Sequence, residues 1–434
     1  MKTKAGKREI GPSLVVVIIA LVFALLAVSY SLVTDLKGGP DETAHLIYIR
    51  SLAIDHVLPP IAHSSINSLE SQSTHEGHQP PLYYAVMAVP YALLHSMGAP
   101  TDLIWRVIRI LGVAFGACWI ISIFYLARVV LGSDRWGLAV AAFVALIPTA
   151  AYMAGVVNND IMVSMWFGWA MYLIVKYVKD GVMATRTALY LGAIIGLAIL
   201  TKAQGMILVP LFGIAALAVW LGKRPRDTRS VGGVVGTVLV TAAVIGGWWL
   251  MRSLIAHGSL QSESLTNPLL PNGLSDIHGQ WLQFLSLVRT VCINTWGYFW
   301  TPFWLLRPFV NSLCYSNVVI AISALPLLLM LVRILLVRDL DMRLIGLLLI
   351  AAGTIVVTWL WHVFIVDAGA NLQGRLFLPV APAIGVFIVG GVQPWLGKRL
   401  PRLFAACIVY GSMLLANILI LRLVVSYYAL GYGQ

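Results

Sequence analysis

Along the chain, apolar runs of roughly 20 residues alternate with short polar breaks, the length needed to cross a bilayer as a helix. The first run, Pro12 to Val33, carries no charged residue at all. Similar runs follow near 104–126, 136–155, 161–178, 187–201, 205–222, 231–253, 314–336, 344–365, 377–396 and 403–425. The pattern predicts an all-α, polytopic transmembrane helical bundle of about eleven helices, with 187–201 and 205–222 short for spans. Two polar intervals, 34–103 and 254–313, are much longer than the other connections, and a shorter one covers 366–376. Within the first long interval, Asp41, His45 and Tyr48 recur at i, i+4 and i+7, while Leu46, Ile49 and Ala53 occupy another face. That spacing predicts a helix lying on the membrane with a polar stripe above an apolar underside. A second apolar helix is expected after Pro80 and Pro81, with Tyr83, Tyr84 and Tyr91 as interfacial anchors.

Composition removes any soluble alternative: 60% of the 434 residues are hydrophobic and 11% charged. The net charge of +12 would suit nucleic acid in a soluble protein, but here its distribution matters more. With the Lys2, Lys4, Lys7 and Arg8 tail in the cytoplasm, 19 of the 29 basic residues fall on the cytoplasmic side. The N-terminus is therefore expected inside, and nucleic acid is not an expected partner. All nine histidines and eleven of the 17 acids then lie outside. Lacking a small-residue cleavage site before Asp35, the first helix reads as an uncleaved anchor. Cys118 and Cys407 fall in helices. Cys292 and Cys314 fall outside, as a disulfide or as two thiols.

Titratable chemistry is thus concentrated on one face, under two large loops, and points to a site roofed by them. The stretch "GGPDETAHLIYIRSLA" (38–53) opens it. Pro40 suits the first turn of a helix, and Asp41 and Glu42 are favoured there by the helix dipole. Either they only cap the helix, or they line a cavity. His75, Glu76 and His78 leave a divalent metal open, but no stretch has a complete metal-site spacing. The aromatics of "WGYFWTPFW" (296–304) suit an interfacial belt or stacking on a sugar or prenyl chain. A transporter would more typically show paired half-helices and internal repeats, and none is visible.

Several stretches, in order, resemble the GT-C class of glycosyltransferases, which includes protein O-mannosyltransferases and the lipid A aminoarabinose transferase. These are Pro-Asp-Glu at 40–42, "HQPPLYY" at 78–84, "NNDIM" at 158–162, "LTKAQG" at 200–205, "GWWLMRS" at 247–253 and "QGRLFLPVAPA" at 373–383. The resemblance implies one transmembrane domain whose catalytic loop is 34–103 and whose second extracytoplasmic loop is 254–313. It implies a multi-pass protein of a bacterial plasma membrane that transfers a sugar, with inversion, from a polyprenyl-phosphate donor to a glycan, lipid or protein hydroxyl. The chemistry needs a general base for the acceptor hydroxyl, and Asp41 is the first candidate, with Glu42 orienting neighbours and Asp160 as the second acid. It also needs cations for the departing phosphate, for which Arg375 leads, followed by Arg252 and Lys202. His45, Tyr48, His78, Gln79 and Tyr83 are the expected substrate-facing groups. Gln79 stands where the lipid A enzyme has a Lys, so its donor contact differs. The competing readings are a transporter or flippase of lipid-linked sugars, and a non-catalytic envelope-assembly protein.

Overall fold

The computed structural model describes residues 11–59, 75–223, 227–257, 280–301, 313–361, 363–364, 373–396 and 399–429. Among the described residues there is no strand. The spanning helices begin with α1 (Pro12–Val33). The first loop carries α2 (Glu42–Arg50) and α3 (Leu82–Ser96). The chain continues through α4 (Thr101–Leu131), α5 (Asp134–Ala145), α6 (Pro148–Ala154), α7 (Asp160–Asp180), α8 (Thr185–Thr201) and α9 (Leu208–Gly222). Next come α10 (Thr228–Ala242), α11 (Trp248–His257), α12 (Trp281–Trp300), α13 (Leu313–Val332), α14 (Met342–Trp361), α15 (Ala381–Val392) and α16 (Arg399–Ala429).

Among the described residues, eight helical segments are long and apolar enough to cross a membrane, nine if the bent pair α5–α6 is one span. With two shorter apolar helices, Thr185–Thr201 and Ser323–Val337, they account for the eleven runs in the sequence. The run read as a single span at 136–155 breaks by 69° between Ala145 and Pro148. Pro148 lacks the N–H that would continue α5 and instead opens α6. The carbonyl of Leu146 at the break is not left unpaired: Asn417 on α16 donates to it at 2.9 Å.

The core lies between α4, α7, α5–α6 and α1, where small residues let backbones approach. A methyl group on Gly155, just after α6, would collide with the Ala27 carbonyl of α1. At the margin, α16 buries little of its apolar surface among its neighbours, as a lipid-facing helix does.

The loop expectations need three adjustments. Pro40 lies outside α2, which starts at Glu42 with Asp41 as the residue before it. Tyr83, Tyr84 and Tyr91 point into the core of the protein, not to an interface. On α3 the exposed large apolar positions are Val86, Val89 and Leu93, so an apolar side faces outward and the aromatic side faces inward. The third difference is α12, a 20-residue helix inside the interval read as the 254–313 loop. Its aromatics Tyr298 and Phe299 are buried, and Gly374 packs so closely on them that a methyl there would strike the Phe299 backbone nitrogen. The Cys292 thiol is free. The side chains of Cys314, its candidate partner in a disulfide, and of His75 are not among those described.

Candidate active site

The singled-out residues lie after α1, in α2, just before and in α3, at the start of α7, after α8, in α11 and before α15. The chain leaves α1 at Thr34 in extended conformation and turns sharply, with Lys37 at φ 73° and Asp41 at φ 56°. Asp tolerates the left-handed region better than most residues with a Cβ. Because Asp41 adopts it, two adjacent carboxylates face opposite ways. The Asp41 side chain is 30% exposed, and that of Glu42 is 1% exposed.

Glu42 is held by Arg109 of α4. The guanidinium donates Nε to Oε1 and Nη2 to Oε2, both at 2.7 Å. Its remaining N–H groups go to the carbonyls of Ser31 and Thr34 at 2.9 Å and of Asp35 at 2.7 Å. Arginine has five donors, and all five are used. The Ser31 carbonyl belongs to the last turn of α1, where a helix leaves its last acceptors unpaired, and the Thr34 and Asp35 carbonyls follow it. Glu42 also accepts from the backbone N–H of Gly39 at 3.0 Å and of Val157 at 2.9 Å. One buried pair therefore ties the end of α1, the turn carrying Asp41, and the loop leading to Asp160.

That loop is shaped by Asn158, whose side-chain oxygen accepts from the Asp160 N–H at 2.9 Å while its amide donates to Met153 and Val156 carbonyls. Asn159 donates to Gln79 Oε1 and to the Thr201 carbonyl, each at 3.3 Å. Asp160 then points at Lys202, which pairs with it from the break between α8 and the 3-10 turn Ala203–Ile207.

Arg375, in the 3-10 turn Gly374–Val380 ahead of α15, joins the two acids. Its Nη2 donates to Asp41 Oδ2 at 2.5 Å, and its Nε lies 3.5 Å from Asp160 Oδ2. The second contact is too long for a good hydrogen bond, and both of those atoms are buried without one. The centre of the site thus holds an incompletely satisfied donor and acceptor, a feature suited to a polar ligand.

A second cluster lies beside it. His45 Nδ1 is 2.9 Å from Tyr84 Oη, which is 3.5 Å from Glu76 Oε2. Tyr48 stacks on Tyr84 with centroids 3.8 Å apart and donates its hydroxyl to the Gln79 carbonyl at 3.3 Å. Gln79 Nε2 is 3.0 Å from His78 Nε2. Burial drives the His45 imidazole below its ordinary pKa, although Glu76, Asp41 and Asp160 favour its charged form. Burial also raises the Tyr48 phenol, with Arg252 opposing it. Arg252 lies over the Trp249 ring at 4.7 Å, with Nη1 buried and unpartnered.

The structure brings Asp41, Asp160, Lys202 and Arg375 into one ion-pair chain, with His45, Tyr48, His78, Gln79 and Arg252 around it. Glu42 lies behind that chain, and Tyr83 is fully buried next to Tyr84. Among the described residues no group of three or more His, Cys, Asp and Glu side chains is placed to hold a metal. The two central carboxylates are already matched by Arg375 and Lys202, a poor donor set for a divalent cation. Sequence reasoning missed the structural importance of Arg109, Asn158, Glu76 and Tyr84. For Arg109 a signal existed: an arginine inside an apolar span demands a partner.

The same fold recurs in solved glycosyltransferase structures of the GT-C class. The oligosaccharyltransferase of Archaeoglobus fulgidus, solved with zinc and sulfate, superposes with TM-score 0.51 at 13% identity over 94% of this chain and 52% of its own. AglB of the same organism, in complex with an inhibitory peptide and a dolichol-phosphate, gives TM-score 0.51 at 14% identity over 94% of this chain and 55% of its own. This chain therefore spans about half the length of those enzymes. ArnT from Cupriavidus metallidurans bound to undecaprenyl phosphate is also similar, with TM-score 0.47 and 17% identity over 97% of this chain and 76% of its own. No curated protein matches the sequence. With residues 60–384 matched, most of its length, the chain belongs to the family of predicted membrane proteins designated DUF2142.

Proposed function

We propose that the protein is a membrane glycosyltransferase. In this reading it takes a sugar from a polyprenyl-phosphate donor and joins it, with inversion, to an acceptor hydroxyl on the extracytoplasmic face. The observation that carries it is the Asp41–Arg375–Asp160–Lys202 chain at the end of the bundle opposite most of the basic loops. Asp41 is the more exposed of its two acids, so it is the one an acceptor hydroxyl can reach. Arg375 binds Asp41 in the resting site. A donor phosphate competes for the same guanidinium, and as Arg375 turns to it, the Asp41 carboxylate is released to take the acceptor proton. The acceptor oxygen attacks the anomeric carbon on the face opposite the phosphate, and one displacement inverts that centre. Negative charge grows on the leaving phosphate, where Arg375, Lys202 and Arg252, whose Nη1 has no hydrogen-bond partner, stabilise it. Asp160 keeps Lys202 and Arg375 in place, and Glu42 with Arg109 holds the turn that presents Asp41.

A dolichol-phosphate bound to AglB supports a lipid-phosphate donor. The extracytoplasmic assignment rests on the positive-inside rule. It makes 34–103 the catalytic loop and 254–313 the second roof of one transmembrane domain. The acceptor is a glycan, lipid or protein hydroxyl.

The test is a transfer assay with the purified chain in lipid vesicles, using a panel of polyprenyl-phosphate sugars. Asp41→Asn keeps the side-chain shape and tolerates the left-handed backbone but is not basic. Turnover should fall about 10²–10⁴-fold, the usual worth of general-base catalysis, with the protein folded and donor still bound. Near wild-type transfer by that variant would remove Asp41 as the base. For sidedness, cysteine at Ser96 should react with an impermeant thiol reagent in intact cells, and cysteine at Thr185 should not. The reverse pattern would invert the topology and the function with it.

A further inference from the structure

The cluster beside the ion-pair chain has no part in the transfer step just described. His45 follows Asp41 by one helical turn, its backbone N–H donating to the Asp41 carbonyl at 3.0 Å. His45 and Glu76 are buried, at 3% and 6% exposed, and Tyr84 is fully buried between them. Glu76 Oε2 is 3.9 Å from His45 Nδ1, with the Tyr84 hydroxyl bridging the two. Tyr48 stacks flat on Tyr84 at an interplanar angle of 9° and fixes its ring. Burying an imidazole, a phenol and a carboxylate together costs more than packing apolar side chains of the same size. A group retained at such a cost, next to a base, calls for a chemical role.

Proton positions follow from the donor and acceptor inventory. The Glu76 carboxylate only accepts, so the Tyr84 hydroxyl donates to it. The Tyr84 oxygen then accepts from His45 Nδ1–H. That choice leaves His45 Nε2 as an unprotonated acceptor.

We propose that Glu76, Tyr84 and His45 form a relay that carries away the proton Asp41 takes from the acceptor. The inference rests on the glycosyl-transfer reading. As the acceptor oxygen bonds to the anomeric carbon, its O–H bond breaks and the proton moves to the Asp41 carboxylate. The bond from that carbon to the phosphate oxygen breaks, and its electron pair leaves on the phosphate. The proton then passes from Asp41 to His45 Nε2, giving an imidazolium whose charge Glu76 balances through the Tyr84 hydroxyl. Its loss to water restores the resting site. With donor and acceptor in place the open side of Asp41 is covered, so the imidazolium holds the proton until the products leave and Asp41, 30% exposed, meets water again. The charged groups facing His45 are Glu76, Asp41 and Asp160, which favour its proton, and Arg375, which opposes it. Burial opposes it most, so the imidazole rests neutral and releases a proton readily. His45 acts through Asp41 and is a relay group, not a base in contact with the sugar.

The experiment has two arms on the full chain in lipid nanodiscs. The first needs no turnover: imidazole C2 hydrogen–deuterium exchange, read by mass spectrometry across pH, titrates His45 directly. The wild type should titrate below the ordinary histidine range, and both Glu76→Gln and Asp41→Asn should shift it lower still. A His45 titration unmoved by both variants overturns the relay. The second arm is the pH profile of transfer. His45→Gln still bonds to Tyr84 but carries no proton, so kcat should fall about 10²-fold, the low end of acid–base effects, with donor KM unchanged. The part of the acidic limb set by His45 should vanish with it, leaving the limb set by Asp41, and Tyr84→Phe should give a milder loss of the same kind. A His45→Gln profile identical to wild type overturns the relay. Absence of transfer by wild type overturns the glycosyltransferase reading instead, while the first arm still decides the coupling.

Discussion

Arg109→Met removes the guanidinium and leaves the Glu42 carboxylate buried at 1% exposure without its counter-charge. Breaking a buried pair from one side costs about 3–5 kcal/mol, because the surviving charge is uncompensated. The Ser31 and Thr34 carbonyls lose their Arg109 donors in the same change, while the Asp35 carbonyl keeps the Gly38 N–H at 3.0 Å. Buried acceptors left unpaired cost about 1–3 kcal/mol each where water cannot reach them. Water entering at the rim limits that second contribution, so the expected loss is about 4–6 kcal/mol, built on the buried-pair cost. A protein of ordinary stability has only about 5–15 kcal/mol to lose. Arg109→Lys restores the charge with three donors instead of five and should recover part of the loss. The assay is reversible denaturation in mixed micelles, with a cycle through Glu42→Leu and the double variant Arg109→Met/Glu42→Leu. The double variant should be more stable than Arg109→Met, since it no longer buries a lone carboxylate. A loss below about 1 kcal/mol for Arg109→Met, the range of an exposed pair, would refute the claim that this pair holds the Asp41 turn.

Arg375→Lys should remain impaired in donor binding, because an ammonium cannot serve Asp41, Asp160 and a phosphate with one planar fork. Donor affinity equal to wild type, measured by calorimetry, would demote Arg375 to a structural cation. Gly374→Ala should destabilise by about 1–3 kcal/mol or more, the range of overpacking, since the added methyl meets backbone of α12, which cannot rotate away. An unchanged melting temperature would show that α12 does not pack there. Stability should also depend on pH through His45, whose folded pKa is lowered by burial. Above the unfolded value of about 6.5 neither state binds the proton. As pH falls below that value the unfolded chain binds it first, so stability declines with acidification until the folded pKa is passed. His45→Gln should flatten that acid slope relative to wild type, and an equal slope in unfolding measured between pH 8 and 5 would contradict the lowered pKa.

Much of the fold is legible locally. The residues of α1 coincide with the apolar run read from the sequence, because a charge-free stretch opened by a proline needs no partner to declare itself. The order of spans follows from the same local patterns. The residues singled out by motif, Asp41, Asp160, Lys202 and Arg375, do meet at one end. What the pattern could not give was orientation and partnership. Hydropathy does not tell a lipid-facing tyrosine from a core one, and Tyr83, Tyr84 and Tyr91 turned inward. The apolar run through 136–155 looks continuous, although Pro148 and the 69° bend divide it. Helix α12 is too polar in places to read as a span and was taken as loop.

The pairing of charges was decided by tertiary structure alone. Asp41 and Glu42 are neighbours with the same functional group, and composition and dipole arguments treat them alike. The left-handed backbone at Asp41 separates them. One is then claimed by Arg109, 67 positions away, and the other by Arg375, 334 positions away. Sequence patterns report which side chains leave water, since that depends on each residue and its near neighbours. Which buried charge compensates which depends on distances of a few ångström between segments far apart in the chain, and only packing of the whole bundle sets those.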